Sequence, residues 1–343
     1  MIAETKAKTL VSSFITPNKH FYIRQHQATP PPVDLDEFKL RIFNELSMKH
    51  HVGTFAARYD RESEEDDEDF APIRKFSVED LRTLFTPYKV MNAMSCAGNR
   101  RKGLKEVAPP GLVQGNDWYI GAVGNAEYTG VLLIDLLKEL GFRLEDLKDK
   151  HLIAESMDTD VLGKCYEVSV PMSMVIDPLN EVILAYEMNG EALPLEHGFP
   201  LRLVVPGVVG VRNAKWVKAL KISDEEATST QQKENYKIVK ELDPKKVDYS
   251  KLKPIMGYCV NSAIADPLNM ETVYVDPEEP FYTIRGFAVG NQSKGTPVDK
   301  VELSFDGGAS WIQANIVARE AKDPGKKVFS WVLWEHRIPV KNG

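Results

Sequence analysis

The sequence predicts an α+β protein in two parts, a mixed domain over residues 1–250 and an all-β module over residues 251–343. Three observations predict it. Apolar residues at helical spacing in FSVEDLRTLF and YTGVLLIDLLKELGFRL give way to β-branched runs broken by Pro and Gly. The charged, proline-marked segment DPKKVDYSKLKP then interrupts the pattern, as a boundary does. Beyond it apolar residues alternate with polar ones and no helical period returns. Length agrees, since 343 residues are too many for one small core and suit two.

In chain order, the stretch from Thr16, TPNKHFYIRQHQATPPPVD, carries prolines from Pro30 to Pro32 that disfavour helix, so it predicts an extended arm. Glu62 to Asp69 (ESEEDDED) packs seven acids into eight residues, a block that repels itself and predicts a solvated loop, with an acidic docking site as its rival. In FSVEDLRTLF, Ser77 is placed as a helix N-cap with Asp80 three positions on. The run from Tyr128 to Leu144 predicts a second helix ending at Gly141. GKCYEVSVPMSMVI, EVILAYEMNG and FPLRLVVPGVVG predict short strands joined by turns. The last module contains PFYTIRGFAVG, a DGG turn and FSWVLWEHRIPV. It predicts an antiparallel, immunoglobulin-like β-sandwich of about 90 residues, short of the ~100 of a complete unit, so a final strand is expected to be missing.

Composition narrows the function. With 43% hydrophobic and 27% charged residues, disorder and fibrous repeats are excluded. A net charge of −7 argues against a nucleic-acid partner but leaves a small anion pocket open. Three scattered cysteines give no disulfide framework and no metal knuckle, which predicts a reducing, cytoplasmic setting. The mitochondrial intermembrane space and the peroxisome stay open as alternatives. No apolar run is long enough for a membrane span, and MIAETKAKTLVSSF lacks the apolar centre of a signal peptide.

Cys96 lies in MSCAGNRRKG, where Arg100, Arg101 and Lys102 would favour a thiolate; residue chemistry alone puts an inert buried thiol ahead of a catalytic or metal-bound one. No G-x-S-x-G elbow, zinc spacing, G-x-G-x-x-G or P-loop accompanies it. What the chain does have is polar islands in apolar surroundings: FYIRQH, CAGNRR, ESMDTD, LEHGFPLRLVVPGVVGVRNAKW and ENYK. Buried cations need anionic partners, and Arg24, Arg101, Arg202 and Lys215 would suit a phosphate-bearing cofactor and an oxyanion.

Through MSCAGNRR, LAYEMNGEALPLEHGFPLRLVVPGVVGVRNAKW and ENYK the sequence resembles the molybdenum domain of eukaryotic sulfite oxidases and assimilatory nitrate reductases, from about Thr16 to near the C-terminus. The resemblance implies a molybdenum–molybdopterin cofactor with Cys96 as the thiolate on the metal, a soft ligand suited to it. It implies that Arg24, His26, Asp158, His197, Arg202, Asn213, Ala214 and Lys215 hold the pterin and its phosphate, Asn213 and Ala214 through their backbone. Arg24, Arg101, Trp118 and Tyr236 would form the catalytic anion pocket. The rival readings are structural histidines at His26 and His197, an Asx-turn at Asp158, a surface ion pair at Arg101 and plain packing at Tyr236.

The implied function is oxidation of sulfite to sulfate by oxygen-atom transfer, with electrons leaving to an external acceptor such as a cytochrome. The alternatives are the molybdenum domain of a nitrate reductase, or a non-catalytic binding or assembly protein that kept the fold. No haem module is read in this chain, and the all-β module is expected to make a homodimer. One departure stands out: where sulfite-oxidising relatives present an arginine after a glycine run, this chain has GFAVGNQSKGTPVDK, with Lys294 nearest. Lys is no equivalent of that planar fork.

Overall fold

The computed structural model describes residues 2–46, 71–239, 246–321 and 323–340. The acidic run Glu62–Asp69 lies outside the described residues, as does part of the charged segment that starts at Asp243. The α+β expectation is met by two five-stranded sheets with short helices between and around them, followed by a four-stranded sheet.

One five-stranded sheet orders Arg74–Phe76, Leu40–Asn44, Val217–Ser223, His151–Thr159 and Cys165–Pro171, with a single parallel pairing between its second and third strands. The other is antiparallel and orders Glu191–Ala192, Ile183–Met188, Val123–Leu132 and Tyr88–Ser95, with Arg202–Val204 also pairing to Ile183–Met188. Strand residues alternate in direction. Leu184 and Tyr186 therefore join the large core shared with Leu40, Leu152, Val168 and Leu220, whereas Ile183 and Ala185 face a second cluster containing Phe21, Tyr22, Met94 and Cys96. The extended N-terminal arm covers that second face.

The Ser77 helix forms as read. Asp80 N–H donates to Ser77 Oγ at 3.0 Å while Ser77 N–H donates to Asp80 Oδ2 at 2.7 Å, a reciprocal capping box. The Tyr128–Leu144 helix requires correction, because Tyr128 to Leu132 belong to the strand Val123–Leu132 and the helix is only Leu133–Glu139. The cause is tertiary: Gly130 crosses the partner strand so closely that a Cβ there would sit 2.1 Å from Leu184 O. The predicted end holds, since Gly141 has φ +81°, Gly141 N–H donates to Lys138 O and Phe142 N–H to Leu137 O. A second correction is the run after Pro171, where Met172–Val175 is a helical turn rather than strand.

Towards the C-terminus, Asn261–Asp266, Phe281–Val289, Trp331–Pro339 and Asn315–Arg319 form the antiparallel four-stranded sheet. Glu302–Leu303 and Ile312–Gln313 pair across the DGG turn. This part packs on the first through Tyr258, whose hydroxyl donates to Ala93 O, through Ala93 N–H donating to Phe329 O at 2.8 Å, and through Trp331 Nε1 donating to Phe14 O at 2.9 Å. Among the described residues no helix is long and apolar enough to cross a membrane.

Candidate active site

The strand Tyr88–Ser95 delivers Cys96 to the mouth of the second cluster, and Cys96 N–H donates to Ala122 O at 2.9 Å, which fixes where the thiol emerges. Gly98 N–H points at Cys96 Sγ from 3.4 Å. Burial pushes the Cys96 thiol up, and the Gly98 N–H with Arg24 and Arg101 pulls it back. Arg101 opens the helix Arg101–Val107 and donates from Nη1 to Asn116 O at 3.1 Å. Trp118 is buried in the same cluster as Cys96, its carbonyl accepts from Lys102 N–H at 3.0 Å, and its indole Nε1 has no hydrogen-bond partner among the described residues.

At the thiol opens a cleft holding about 650 Å³ of space, part of it open to solvent. Arg24, His26, Cys96, Asp158, His197, Arg202, Asn213, Ala214, Lys215 and Tyr236, all singled out in the sequence, line it. Arg101 and Trp118 are not among its walls; they flank Cys96. Lys294 is exposed and lines nothing here. Tyr22, Gln25, Tyr166, Gly210 and Trp216 also line the cavity and escaped the sequence reading. Tyr22 and Gln25 were inside the FYIRQH island. Tyr166 carried no signal beyond its place in a strand.

The cations are held by carbonyls. Arg202 donates from Nη1 to His197 O at 3.0 Å, and Lys215 Nζ donates to Glu196 O at 2.9 Å while lying 4.3 Å from the Trp216 ring centroid. Desolvation, with Arg202 close by, pushes the Lys215 ammonium well below its ordinary range; Asp158 and Glu196 act against it. His197 pairs through Nε2 with Asn18 O at 2.9 Å, so that nitrogen carries the proton. Burial and Arg202 lower its pKa to about 4, which keeps it neutral. Burial raises Asp158 to about 6. The Asn213 side chain is fully engaged within its own loop, accepting from Val205 N–H at 2.7 Å and donating to Val208 O and Val209 O. Any role towards a ligand therefore falls to its main chain.

In the same cavity, Tyr236 Oη lies 2.8 Å from His26 Nε2, and His26 Nδ1 lies 3.3 Å from Arg24 Nη2. Arg24 also donates to Gln25 O. Tyr236 adopts φ +56°, a left-handed conformation that a bulky residue keeps only where its surroundings impose it.

These walls suit a phosphate-bearing, metal-carrying organic cofactor. Arg202 Nε and Asp158 Oδ1 are buried without hydrogen-bond partners among the described residues, and each asks for a polar partner. Arg24, Arg202 and Lys215 supply charge for a phosphate, and Cys96 supplies a soft sulfur. Among the described residues no group of three or more His, Cys, Asp or Glu forms a metal cluster. A metal here would rest on one protein sulfur and on the cofactor itself.

Comparison with known proteins agrees with this chemistry. Residues 67–231 match the family described as "Oxidoreductase molybdopterin binding domain" and residues 252–343 the family described as "Mo-co oxidoreductase dimerisation domain". Mitochondrial sulfite oxidase of Homo sapiens is 34% identical over 342 residues, 99% of this chain and 56% of that protein. Sulfite oxidase of Arabidopsis thaliana is 30% identical over 354 residues, 98% of this chain and 80% of that protein. The chain thus spans about half the length of the human relative. Among solved structures, the sulfane dehydrogenase SoxCD from Paracoccus pantotrophus superimposes with a TM-score of 0.69 at 25% identity, covering 98% of this chain and 72% of that one.

Proposed function

We propose, from the premise that the chain belongs to the sulfite oxidase family, that it oxidises sulfite to sulfate with a molybdenum–molybdopterin cofactor seated over Cys96. One observation carries the reading: a single buried thiol opens into a cavity walled by Arg24, Arg202, Lys215 and Asp158, with Arg101 at its flank. When bound, the cofactor would supply two-electron redox and oxygen-atom transfer chemistry.

The chain's own residues would do the rest. Cys96 would ligate the metal. Arg202 and Lys215 would neutralise the cofactor's phosphate, and His197 and Asp158 would take pterin hydrogen bonds. Arg24 and Arg101 would draw a dianion into a partly enclosed pocket, where fixed cations act strongly despite the net charge of −7. Tyr236 would orient an anion oxygen. Lys294 is exposed and, among the described residues, no second-domain cation lines the cavity, so docking would fall to these two arginines. Electrons would pass to an external acceptor.

The part from residue 251 onward would be the pairing module of a homodimer, an immunoglobulin-like sandwich whose strands leave Ile264, Phe281 and Val317 exposed. Native mass in solution tests the pairing. The function is tested by steady-state turnover of sulfite with ferricyanide beside nitrate with a reduced viologen. Sulfite turnover, and a thiolate-to-metal absorption band that bleaches on adding sulfite, are expected. Nitrate turnover alone would replace the reading with a reductase, and protein free of molybdenum and pterin after expression in a molybdenum-competent host would replace it with a binding protein.

A further inference from the structure

Arg24, His26 and Tyr236 stand in sequence along the cavity wall, and the chemistry of their contacts fixes which atom carries which proton. A guanidinium has only N–H donors, so His26 Nδ1, 3.3 Å from Arg24 Nη2, must offer a lone pair. A neutral imidazole carries one N–H, which then sits on Nε2, 2.8 Å from the Tyr236 oxygen. Burial, with Arg24 and Lys215 nearby, lowers His26 to about 4 and keeps it in this neutral form. The reverse assignment, Tyr236 donating to Nε2, would place an Nδ1–H against the N–H groups of Arg24.

We infer that His26 is a positioning residue that donates from Nε2 to the Tyr236 oxygen and so leaves the Tyr236 hydroxyl proton to be donated into the cavity. The direction matters because sulfite and sulfate dianions only accept hydrogen bonds. A tyrosine that used its proton on His26 would meet them with lone pairs and repel them. In the inferred direction the chain Arg24 to His26 to Tyr236 polarises along its length and strengthens the last donor.

The fold holds each member in place. Tyr166 stacks on His26 with centroids 5.8 Å apart and planes 18° apart, and its own hydroxyl donates to Val211 O at 2.8 Å. Tyr236 meets His26 edge-on, 5.6 Å away at 81°. Its left-handed backbone is pinned by Ile255 N–H donating to Tyr236 O at 2.7 Å. Tyr166 thus fixes the plane of the His26 ring that faces Tyr236.

The inference rests on the sulfite reading for its purpose, but the tautomer itself does not. Long-range proton–nitrogen correlation spectra of nitrogen-15 histidine-labelled protein, with and without cofactor, read the tautomer directly, His26 being assigned by the signal missing from His26→Gln. An Nε2–H imidazole is expected; an Nδ1–H form or an imidazolium near neutral pH overturns the inference. In turnover, His26→Gln keeps a donor and should hold KM for sulfite within about threefold, whereas His26→Leu should raise it about tenfold. Equal impairment of the two variants, at equal cofactor content and thermal midpoint, overturns it as well. An Nε2–H spectrum in a protein that fails to oxidise sulfite would instead sink the functional reading alone.

Discussion

A Cβ placed on Gly98 would lie 2.4 Å from Arg101 Nη2, and one on Gly115 would lie 2.9 Å from Arg101 Nη1, so the guanidinium is held between two bare stretches of backbone. Gly98 is two residues from the thiol, so this gap sets how close a planar cation comes to it. Gly98→Ala is expected to push the guanidinium away while leaving the apolar cluster intact. KM for sulfite should rise about tenfold, with kcat and thermal midpoint little changed. An unchanged KM would mean that Arg101 takes no part in anion docking.

The loop from Val205 to Asn213 supports one wall of the cavity, and Asn213 ties it with three side-chain hydrogen bonds, one accepted from Val205 N–H and two donated to Val208 O and Val209 O. Asn213→Ala takes the acceptor from Val205 N–H and a donor from Val208 O and Val209 O, the last of which still accepts from Arg212 N–H. Stability should fall by about 2–3 kcal/mol, and cofactor should be lost more readily on gel filtration. Chemical denaturation with constant slope checks the first; molybdenum per chain checks the second.

Much of the site was legible because its chemistry is carried by residue types that are costly to bury. Arg24, Arg202, Lys215 and Cys96 stood out as cations and a thiol amid apolar runs, and the capped Ser77 helix was written in two side chains. What escaped depends on contacts between distant segments. Tyr128 reads as helical by apolar spacing, yet the chain there runs extended because Val123–Leu132 sits between two partner strands and buries both faces. Periodicity distinguishes helix from strand poorly when both faces are apolar. Tyr166 is invisible for a similar reason, since its role exists only because His26 arrives from far along the chain.

His26 and His197 are lowered from 6.5 to about 4, and Asp158 is raised from 3.8 to about 6. Between pH 4 and 6 the unfolded chain therefore binds two protons at the histidines that the folded protein refuses, and the folded protein binds one at Asp158 that the unfolded chain has released. Two minus one leaves the unfolded chain one proton ahead, so these groups make stability rise with pH in that window and fall on acidification from 6.5 towards 4. The slope is at most about 1.4 kcal/mol per pH unit. Urea denaturation of cofactor-free protein between pH 4.5 and 6.5 reads it. His197→Gln removes one unfolded-state proton and should flatten the curve; an unaltered slope would show that His197 is not held neutral by burial.

Cys96→Ser separates the ligand from the fold. Serine nearly preserves the volume, the main-chain bond from residue 96 N–H to Ala122 O is untouched, and the Gly98 N–H that faces Sγ can donate to a hydroxyl instead. Stability should therefore change by no more than about 1 kcal/mol. A hydroxyl that stays protonated at neutral pH is a poor substitute for a soft thiolate on molybdenum. Turnover of sulfite should drop by on the order of a thousandfold or more, and the thiolate-to-metal absorption band should vanish. Pterin should still be retained, because the proposed hold of Arg202 and Lys215 on its phosphate does not involve the sulfur. Full activity in Cys96→Ser would remove this sulfur from the chemistry; loss of pterin together with the band would show that the sulfur, rather than the cations, anchors the cofactor.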